Sequence, residues 1–329
     1  MIKILTERKY NQGISRQTVY EWEDDISEKY NIPLLFMDSY KAHPFARLLR
    51  KIRFPKAISW NQNKDILLFF AMNIDLLRIL AWYTPNVIPI LLDVTLDEID
   101  EVYRITKNLP IFWVTAISLK EALVKKYPDC KVCYIPQMAS DRYLQETIEK
   151  QSSIIQFGRR NPVLHDFAKK YVDNHHDISY IFRTNDFSKC MIKYSNSIQT
   201  EIGILQTREE FINYLLNSKI CLCSTPLTEH TRDFGDNIDF LTARWYESIM
   251  CRCHILARTS NVVKPELEIT GLINLIDNVN TYEEFSSLCD SYLSNNALSY
   301  NAAFTFAQTN SAVYRGGYIL MQLHKKGVK

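Results

Sequence analysis

The feature that most constrains the fold of this 329-residue chain is the alternation of short apolar runs with helical patterns. Each apolar run has the length of one β-strand, and most runs are followed by a helical stretch. Strands that alternate with helices pair in parallel, because a parallel pair needs a long crossover connection. The predicted strands cover residues 2–5, 33–37, 65–70, 87–92, 111–114, 131–135, 153–157, 178–182, 219–223 and 254–257. The sequence therefore predicts an α/β protein.

A polar stretch without a strand pattern, 139–153, interrupts this alternation. We therefore predict a Rossmann-like domain over 1–140, a linker over 141–153 and a second Rossmann-like domain over 154–295. The helical segment 296–329 is expected to cross back to the first domain. Open α/β sheets bind ligands beyond the carboxyl ends of their strands, where the strand order reverses. With two doubly wound domains, we expect the site in the cleft that they face.

The scarcity of glycine excludes the common nucleotide sites that are built on glycine loops. The chain has eight glycines among its 329 residues. An average protein contains about 7% glycine, which would be roughly 23 residues at this length. It contains no G-x-G-x-x-G and no G-x-x-x-x-G-K-[ST] sequence. A phosphate site in this chain must therefore depend on basic side chains and a helix amino end.

Charge and cysteine content predict a cytoplasmic protein that binds no nucleic acid. The net charge is only +2, which does not favour a nucleic-acid partner. The segment 13–23 has the pattern of a helix-turn-helix, but it continues into carboxylates, the wrong sign for DNA phosphates. The pair Cys130-x-x-Cys133 has no second such pair for a zinc ribbon, and we interpret the cysteines as reduced, buried small residues. No signal peptide is evident.

One basic segment allows contact with a membrane surface. The most apolar stretch, 66–89, is broken by charges and a proline, so no transmembrane helix is predicted. The segment 41–56 mixes six basic residues with large apolar ones. It is either an amphipathic helix at the inner face of a membrane or the solvated face of a core helix, and both interpretations stay open.

The residues that point most clearly to chemistry lie in the segment 236–253. A helix is predicted there, beyond the carboxyl end of the strand 219–223, with Arg244 and Glu247 on one face. The amino end of a helix favours anions, and an arginine in the first turn adds a guanidinium suited to phosphate. A carboxylate such as that of Glu247 suits a ribose diol. The same spacing is also that of an ordinary surface Arg–Glu pair.

The segment 240–257 resembles the donor-binding stretch of GT-B glycosyltransferases of the group 1, GT4-like type. In that stretch a basic residue and an aromatic precede a glutamate, a turn and a short apolar strand. The resemblance implies that Glu247 contacts the ribose and Arg244 the diphosphate of a nucleotide-sugar. It also implies that Asp239, eight positions before the glutamate, contacts the transferred sugar. Thr242 belongs to a Thr-x-basic element similar to one in fucosyltransferases of the same architecture.

Two departures from the family pattern accompany this match. Arg252 stands where relatives have glycine after the helix, and the Pro-Phe-Gly loop that follows the first acidic residue is absent. The sequence therefore leaves open whether the anomeric configuration is retained or inverted.

A second match is the strand 154–157 followed by Gly158, Arg159 and Arg160. It resembles the Gly-Arg strand end that begins the donor domain of GT-B enzymes. The glycine allows close approach at the strand end. The resemblance implies that Arg159, and as a weaker candidate Arg160, reaches the pyrophosphate.

The first domain offers no clear catalyst, although the segment 112–136 resembles the end of a GT-B acceptor domain. An inverting enzyme would need a base there for the acceptor hydroxyl. The candidates are Asp38 and His43, which follow the strand 33–37. A helix cap and a surface histidine are the alternative interpretation.

The residues and the resemblance together predict two Rossmann-like, doubly wound domains of the GT-B fold. The implied function is a glycosyltransferase of polysaccharide biosynthesis. It would use a nucleotide-sugar donor and a glycan or lipid-linked acceptor, with no metal or other cofactor. The alternative is a non-catalytic protein of the same fold that binds a nucleotide or a sugar.

Overall fold

The computed structural model describes residues 1–9, 11–37, 56–158, 160–184, 190–229, 238–295 and 297–328. The chain forms two compact units, Met1–Met138 together with Ala312–Lys329, and Ala139–Ser311, with one sheet in each. The α/β class predicted from the sequence is confirmed. None of the described helices is long and apolar enough to cross a membrane.

The first unit contains a parallel sheet of six strands in the order β2-β1-β3-β4-β5-β6. Its strands are β1 (Ile2–Thr6), β2 (Leu34–Phe36), β3 (Ile66–Ala71), β4 (Val87–Leu91), β5 (Phe112–Val114) and β6 (Val132–Tyr134). Every residue of β3 and β4 is buried, as expected for strands covered by helices on both faces. The strand order reverses at β1, which lies between β2 and β3.

Helices connect these strands, and one helix returns from the far end of the chain. They are α1 (Ile14–Tyr30), α2 (Ile74–Tyr83), α3 (Ile99–Thr106), α4 (Ile117–Lys126) and the last helix, α12 (Ala312–Lys325). Helix α12 packs closely on α1: a Cβ added at Gly316 would lie 2.5 Å from Ile26 Cγ1. The Tyr30 hydroxyl donates to the Val313 carbonyl at 2.8 Å. Helix α12 therefore belongs to the first unit.

The second unit contains a mixed sheet of seven strands in the order β10-β9-β8-β7-β11-β12-β13. Its strands are β7 (Gln151–Gln156), β8 (Ser179–Arg183), β9 (Cys190–Ser195), β10 (Ile198–Ile204), β11 (Ser218–Ser224), β12 (His254–Arg258) and β13 (Ile276–Asn278). Strands β8 to β10 pair antiparallel and the other neighbours pair in parallel. The sequence patterns missed the β9–β10 hairpin and β13.

Helices cover both faces of this second sheet, and strand residues alternate between the faces. The helices are α5 (Pro162–Asp173), α6 (Arg208–Asn217), α7 (Pro226–Glu229), α8 (Ala243–Met250), α9 (Lys264–Thr270), α10 (Tyr282–Ser294) and α11 (Tyr300–Asn310). One core joins Phe157 and Ile181 to Trp245 of α8, and we call this side the α8 face. The other core joins Tyr180 and Phe182 to α5 and α10, and we call it the α5 face.

Candidate functional site

The candidate site lies at the carboxyl edge of the second sheet, where β7 and β11 are neighbours. The chain leaves β7 towards β8 on one side, whereas β11 lies on the other side of β7. Loops that leave two adjacent parallel strands in opposite directions open a crevice, which is where doubly wound sheets bind ligands. Three of the predicted site residues, Asp38, His43 and Arg159, lie outside the described residues, as does the basic segment up to 55.

Gly158 and Arg244, which are predicted from separate motifs, are in contact at this edge. Gly158 has φ +74°, and a Cβ there would overlap the Arg244 guanidinium. The position therefore needs glycine both for its left-handed backbone and for the space that the guanidinium occupies. Arg244 reaches this point from the first turn of α8. The two motifs thus form one structural feature.

Thr242 is the residue that caps the amino end of α8. A threonine at this position normally accepts a hydrogen bond from an N–H of the first turn. Here no such bond forms, and Oγ1 is buried without a partner among the described residues. The predicted Thr-x-basic element therefore places a hydroxyl and the Arg244 guanidinium at the same helix end.

Arg183 is a further cation at this edge that the sequence motifs did not reveal. It ends β8 and alternation places it, like Ile181, on the α8 face. Its Nε is buried and has no hydrogen-bond partner among the described residues. Burial, and then the positive charge of Arg244, lower the pKa of Arg183 below the usual arginine range. In the sequence, the only sign of this residue is that the strand after the Gly158 motif, β8, ends in an arginine.

Arg160, in contrast, lies on the α5 face. Its guanidinium carbon is 5.1 Å from the Phe182 ring centroid, and Nη1 is 3.3 Å from His165 Nε2. Burial and the charge of Arg160 lower the pKa of His165 to about 4. The imidazole is therefore neutral, with Nε2 accepting from Arg160 and Nδ1 donating to Tyr180 Oη at 3.0 Å. The structure does not bring Arg160 to the Arg183–Arg244 side.

Glu247 is buried on α8 and is paired with an arginine from another helix. Arg208, the first residue of α6, places Nη2 2.6 Å from Glu247 Oε1, with 9% and 3% of the two side chains exposed. The carboxylate is therefore not part of a surface Arg–Glu pair on one helix, the alternative interpretation of its spacing. Arg208 is a residue that the sequence patterns missed.

Asp239, predicted to contact the transferred sugar, is bonded within its own unit. Oδ1 accepts from the Leu227 and Phe240 N–H groups at 3.3 and 3.1 Å, and the Ser260 hydroxyl donates to Oδ2 at 2.6 Å. Burial raises the pKa of Asp239, and these hydrogen bonds oppose the increase. The carboxylate fixes the loops after β11 and β12, and its contact with a sugar stays a prediction.

Arg252 adopts the backbone of the glycine that relatives of the resembled family carry at this position. Its φ is 59°, in the left-handed region that favours glycine. The side chain spans two neighbouring segments: Nε donates to the Leu298 carbonyl at 2.8 Å, and Nη1 to the Gln145 and Glu146 carbonyls at 3.0 and 2.7 Å. These bonds offset the cost of the strained backbone, which is about 1–2 kcal/mol.

The described residues contain no group of three or more side chains suited to hold a metal ion. All eight cysteines are free. Cys221, Cys223, Cys251 and Cys253 are fully buried, as the interpretation of cysteines as small core residues predicted. Burial raises the pKa of Cys253 to about 11, so this thiol is protonated at neutral pH.

Two α/β units of this kind define the GT-B fold, and the chain has that fold. No protein-family profile and no curated protein matches the sequence, but solved structures do. AviGT4, a glycosyltransferase of avilamycin A biosynthesis, is 8% identical over 98% of this chain and 97% of its own, with a TM-score of 0.51. S. aureus MnaA with UDP is 11% identical over 99% and 96%, with a TM-score of 0.50.

A third match covers only part of a longer protein. S. aureus TarM in complex with Fondaparinux, α-GlcNAc-glycerol and UDP is 9% identical, with a TM-score of 0.53. The match covers 85% of this chain but 57% of TarM, so the chain spans little more than half of that protein's length. At such identities the three structures are similar to this chain in fold alone.

Proposed function

We propose that this chain is a glycosyltransferase that moves a sugar from a nucleotide-sugar donor to a glycan or lipid-linked glycan acceptor. The observation that carries the proposal is the contact of the Arg244 guanidinium with Gly158 at the switch point of the second sheet. A phosphate that approaches this strand end meets a fixed cation and a backbone without a Cβ. AviGT4 is a glycosyltransferase, and MnaA and TarM have UDP bound, which supports a nucleotide-sugar ligand.

In this proposal Arg244 and Arg159 hold the donor diphosphate. As the bond to the sugar breaks, negative charge grows on the departing diphosphate. Fixed guanidinium groups and the amino end of α8 stabilise that charge without reorganisation. The proposed reaction therefore uses no metal ion.

Glu247 is the proposed ribose contact, and Arg208 is its support. The ion pair at 2.6 Å fixes one carboxylate oxygen and the orientation of the side chain. A carboxylate held in this way binds a diol with little loss of conformational entropy. Arg208 is thus proposed to act on the donor through Glu247.

The second candidate is a non-catalytic protein that binds a nucleotide or a sugar. It is favoured by the state of the two acidic residues of the motif, because Asp239 and Glu247 are both buried and already bonded within the chain. The two candidates for an acceptor base in the first unit, Asp38 and His43, lie outside the described residues.

The test is a binding and turnover panel with UDP-, GDP-, dTDP- and CMP-sugars. We expect one donor class to raise the melting temperature, and Arg244→Met to weaken its binding about 100-fold, because a charged phosphate contact is lost. Glu247→Gln keeps the shape of the side chain and should weaken binding less. Mass spectrometry of donor incubated with candidate acceptors reports transfer.

The matched control is Arg258→Met, which removes an arginine at the end of β12 on the same sheet edge and should leave binding unchanged. If none of the four donor classes binds the wild-type protein or raises its melting temperature, the proposal is contradicted. Tight donor binding without any transfer or hydrolysis would support the non-catalytic candidate.

A further inference from the structure

We propose that Arg183 and Arg244 form one paired anion site, which takes the two adjacent phosphate groups of a nucleoside diphosphate and discriminates against a ligand with a single phosphate group. This inference rests on the proposed function, since it assigns the donor class of the same site. It adds Arg183, a residue that no motif in the chain marks.

The first argument is the position of the two arginines. Gln156 of β7 is the register partner of Phe182 of β8, so Arg183 is one residue further along β8 and Gly158 two residues further along β7. The Arg244 guanidinium lies on Gly158. Arg183 lies on the α8 face of the sheet, and Arg244 belongs to α8 itself. Both cations therefore lie at the carboxyl ends of the neighbouring strands β7 and β8.

The second argument is that neither guanidinium has an anionic partner in the described part of the chain. Arg183 Nε is buried without a hydrogen bond, and no described carboxylate forms an ion pair with either arginine. Both arginines are partly buried, and like charges that are close together and partly removed from water repel unless a counter-charge is near. Among the described residues no carboxylate supplies that counter-charge, so an anion that binds at this edge would stabilise the two arginines.

The third argument is the number of phosphate groups that the anion must carry. A nucleoside diphosphate offers one phosphate group to each guanidinium, whereas a nucleoside monophosphate can occupy only one of the two. Each guanidinium fork can bond two oxygens of one phosphate. The Thr242 hydroxyl at the amino end of α8, which has no partner among the described residues, adds a neutral donor. Arg160 does not belong to this set, because it lies on the opposite face with His165.

The experiment is titration calorimetry with UDP, GDP, UMP, GMP and inorganic pyrophosphate against wild type, Arg183→Met, Arg183→Lys and the control Arg258→Met. We expect Arg183→Met to weaken nucleoside diphosphate and pyrophosphate binding about 10- to 100-fold, as for loss of one charged hydrogen-bonded contact. Binding of the monophosphates should change little. Arg183→Lys should recover part of the loss, and Arg258→Met should match wild type.

A second measurement separates this role from a structural one. Removal of a partly buried charge that has no ion-pair partner among the described residues should leave the melting temperature of the ligand-free protein unchanged or raise it. A structural arginine would lower it. Diphosphate binding by Arg183→Met at wild-type strength, or equal losses for mono- and diphosphates, would overturn the inference while the proposed function stands. Wild-type binding of pyrophosphate but of no nucleotide would support the paired site and refute the proposed function.

Discussion

Each of the two sheets has arginines at the carboxyl end of a strand beside its switch point, but the two sets differ in their partners. In the first unit, Arg8 follows β1 and bonds Asp24 at 2.7 Å and Glu23 at 3.1 Å. Arg16 of α1 lies 2.5 Å from Glu7. Two guanidinium groups thus form ion pairs with three carboxylates at the carboxyl edge of the first sheet, which we call the first edge. The corresponding edge of the second sheet is the second edge.

At the second edge, Arg183 and Arg244 meet beside Gly158 with no such carboxylate among the described residues. The same residue type thus has two different environments. We expect the arginines at the first edge to stabilise the fold, and we propose that those at the second edge bind a ligand at some cost in stability. Stability is commonly lower where a site must bind a charged ligand.

The sharpest way to break this comparison is to remove one arginine from each edge. Arg16→Met leaves Glu7, which is 4% exposed, without its ion-pair partner. We expect a loss of roughly 3 kcal/mol in the free energy of unfolding, as for a broken buried pair. Arg183→Met should leave the free energy of unfolding unchanged. Urea denaturation at pH 7 measures both, and similar losses for the two variants would contradict the contrast.

The pH dependence of stability offers the next test. Burial raises the pKa of Glu23 to about 7, opposed by hydrogen bonds from Thr6 and Arg8. The folded state therefore binds more protons than the unfolded state between pH 4.5, the ordinary value, and about 7. Stability should fall as pH rises through this window, by about 3 kcal/mol. Glu23→Gln should flatten the profile, and an unchanged slope in that variant would exclude Glu23 as its origin.

Gly158→Ala tests the second edge through the backbone. The left-handed φ of +74° and the overlap of a Cβ with the Arg244 guanidinium should together lower stability by about 1–2 kcal/mol. Displacement of the guanidinium should also weaken nucleotide binding. Gly271→Ala is the matched control, because Gly271 has φ +76° with nothing within 4 Å of its Cβ position. If both variants bind nucleotide as wild type does, the Gly158–Arg244 contact is not part of the site.

Arg252→Gly should have the smallest effect. Glycine relieves the strain of φ 59° but loses the hydrogen bonds to the carbonyls of 145, 146 and 298. These terms oppose each other, so we expect a net destabilisation of about 1 kcal/mol. Arg252→Ala keeps the strain and loses the bonds, and its larger loss in the same urea assay would show that the bonds offset the strain. Equal free energies of unfolding for Arg252→Gly and Arg252→Ala would show that the backbone of Arg252 is not strained.

Local patterns were sufficient to predict most of the parallel strands and the helix that carries Arg244, whereas the donor-binding roles of Gly158 and Arg244 stay predictions. Each of those features is encoded in a few consecutive residues, such as an apolar run or a basic residue at a helix start. The β9–β10 hairpin was missed because its turn, Asn196 and Ser197, lacks the Asn-Gly signal. All of β10 is exposed, so it has no buried face to give an apolar pattern.

The residues that contact the predicted site residues could not be predicted from local sequence patterns. Arg208 and Glu247 are 39 positions apart, and their pairing depends on how α6 and α8 pack on one face of the sheet. Arg183 is visible as a strand end, but its role follows from which strand lies beside β8. Charge pairing across elements is a property of the tertiary fold, which a single sequence does not display.

The bonds of Arg252 have a consequence for the modularity of the chain. They tie 145 and 146, near the start of the second unit, to Leu298, near its end, and Ala139 forms a parallel bridge with Ser311. The second unit is thus a closed insertion whose two ends adjoin, within a first unit completed by α12. Segments with adjoining ends are suited to excision and circular permutation, so we expect the second unit to fold as a separate module.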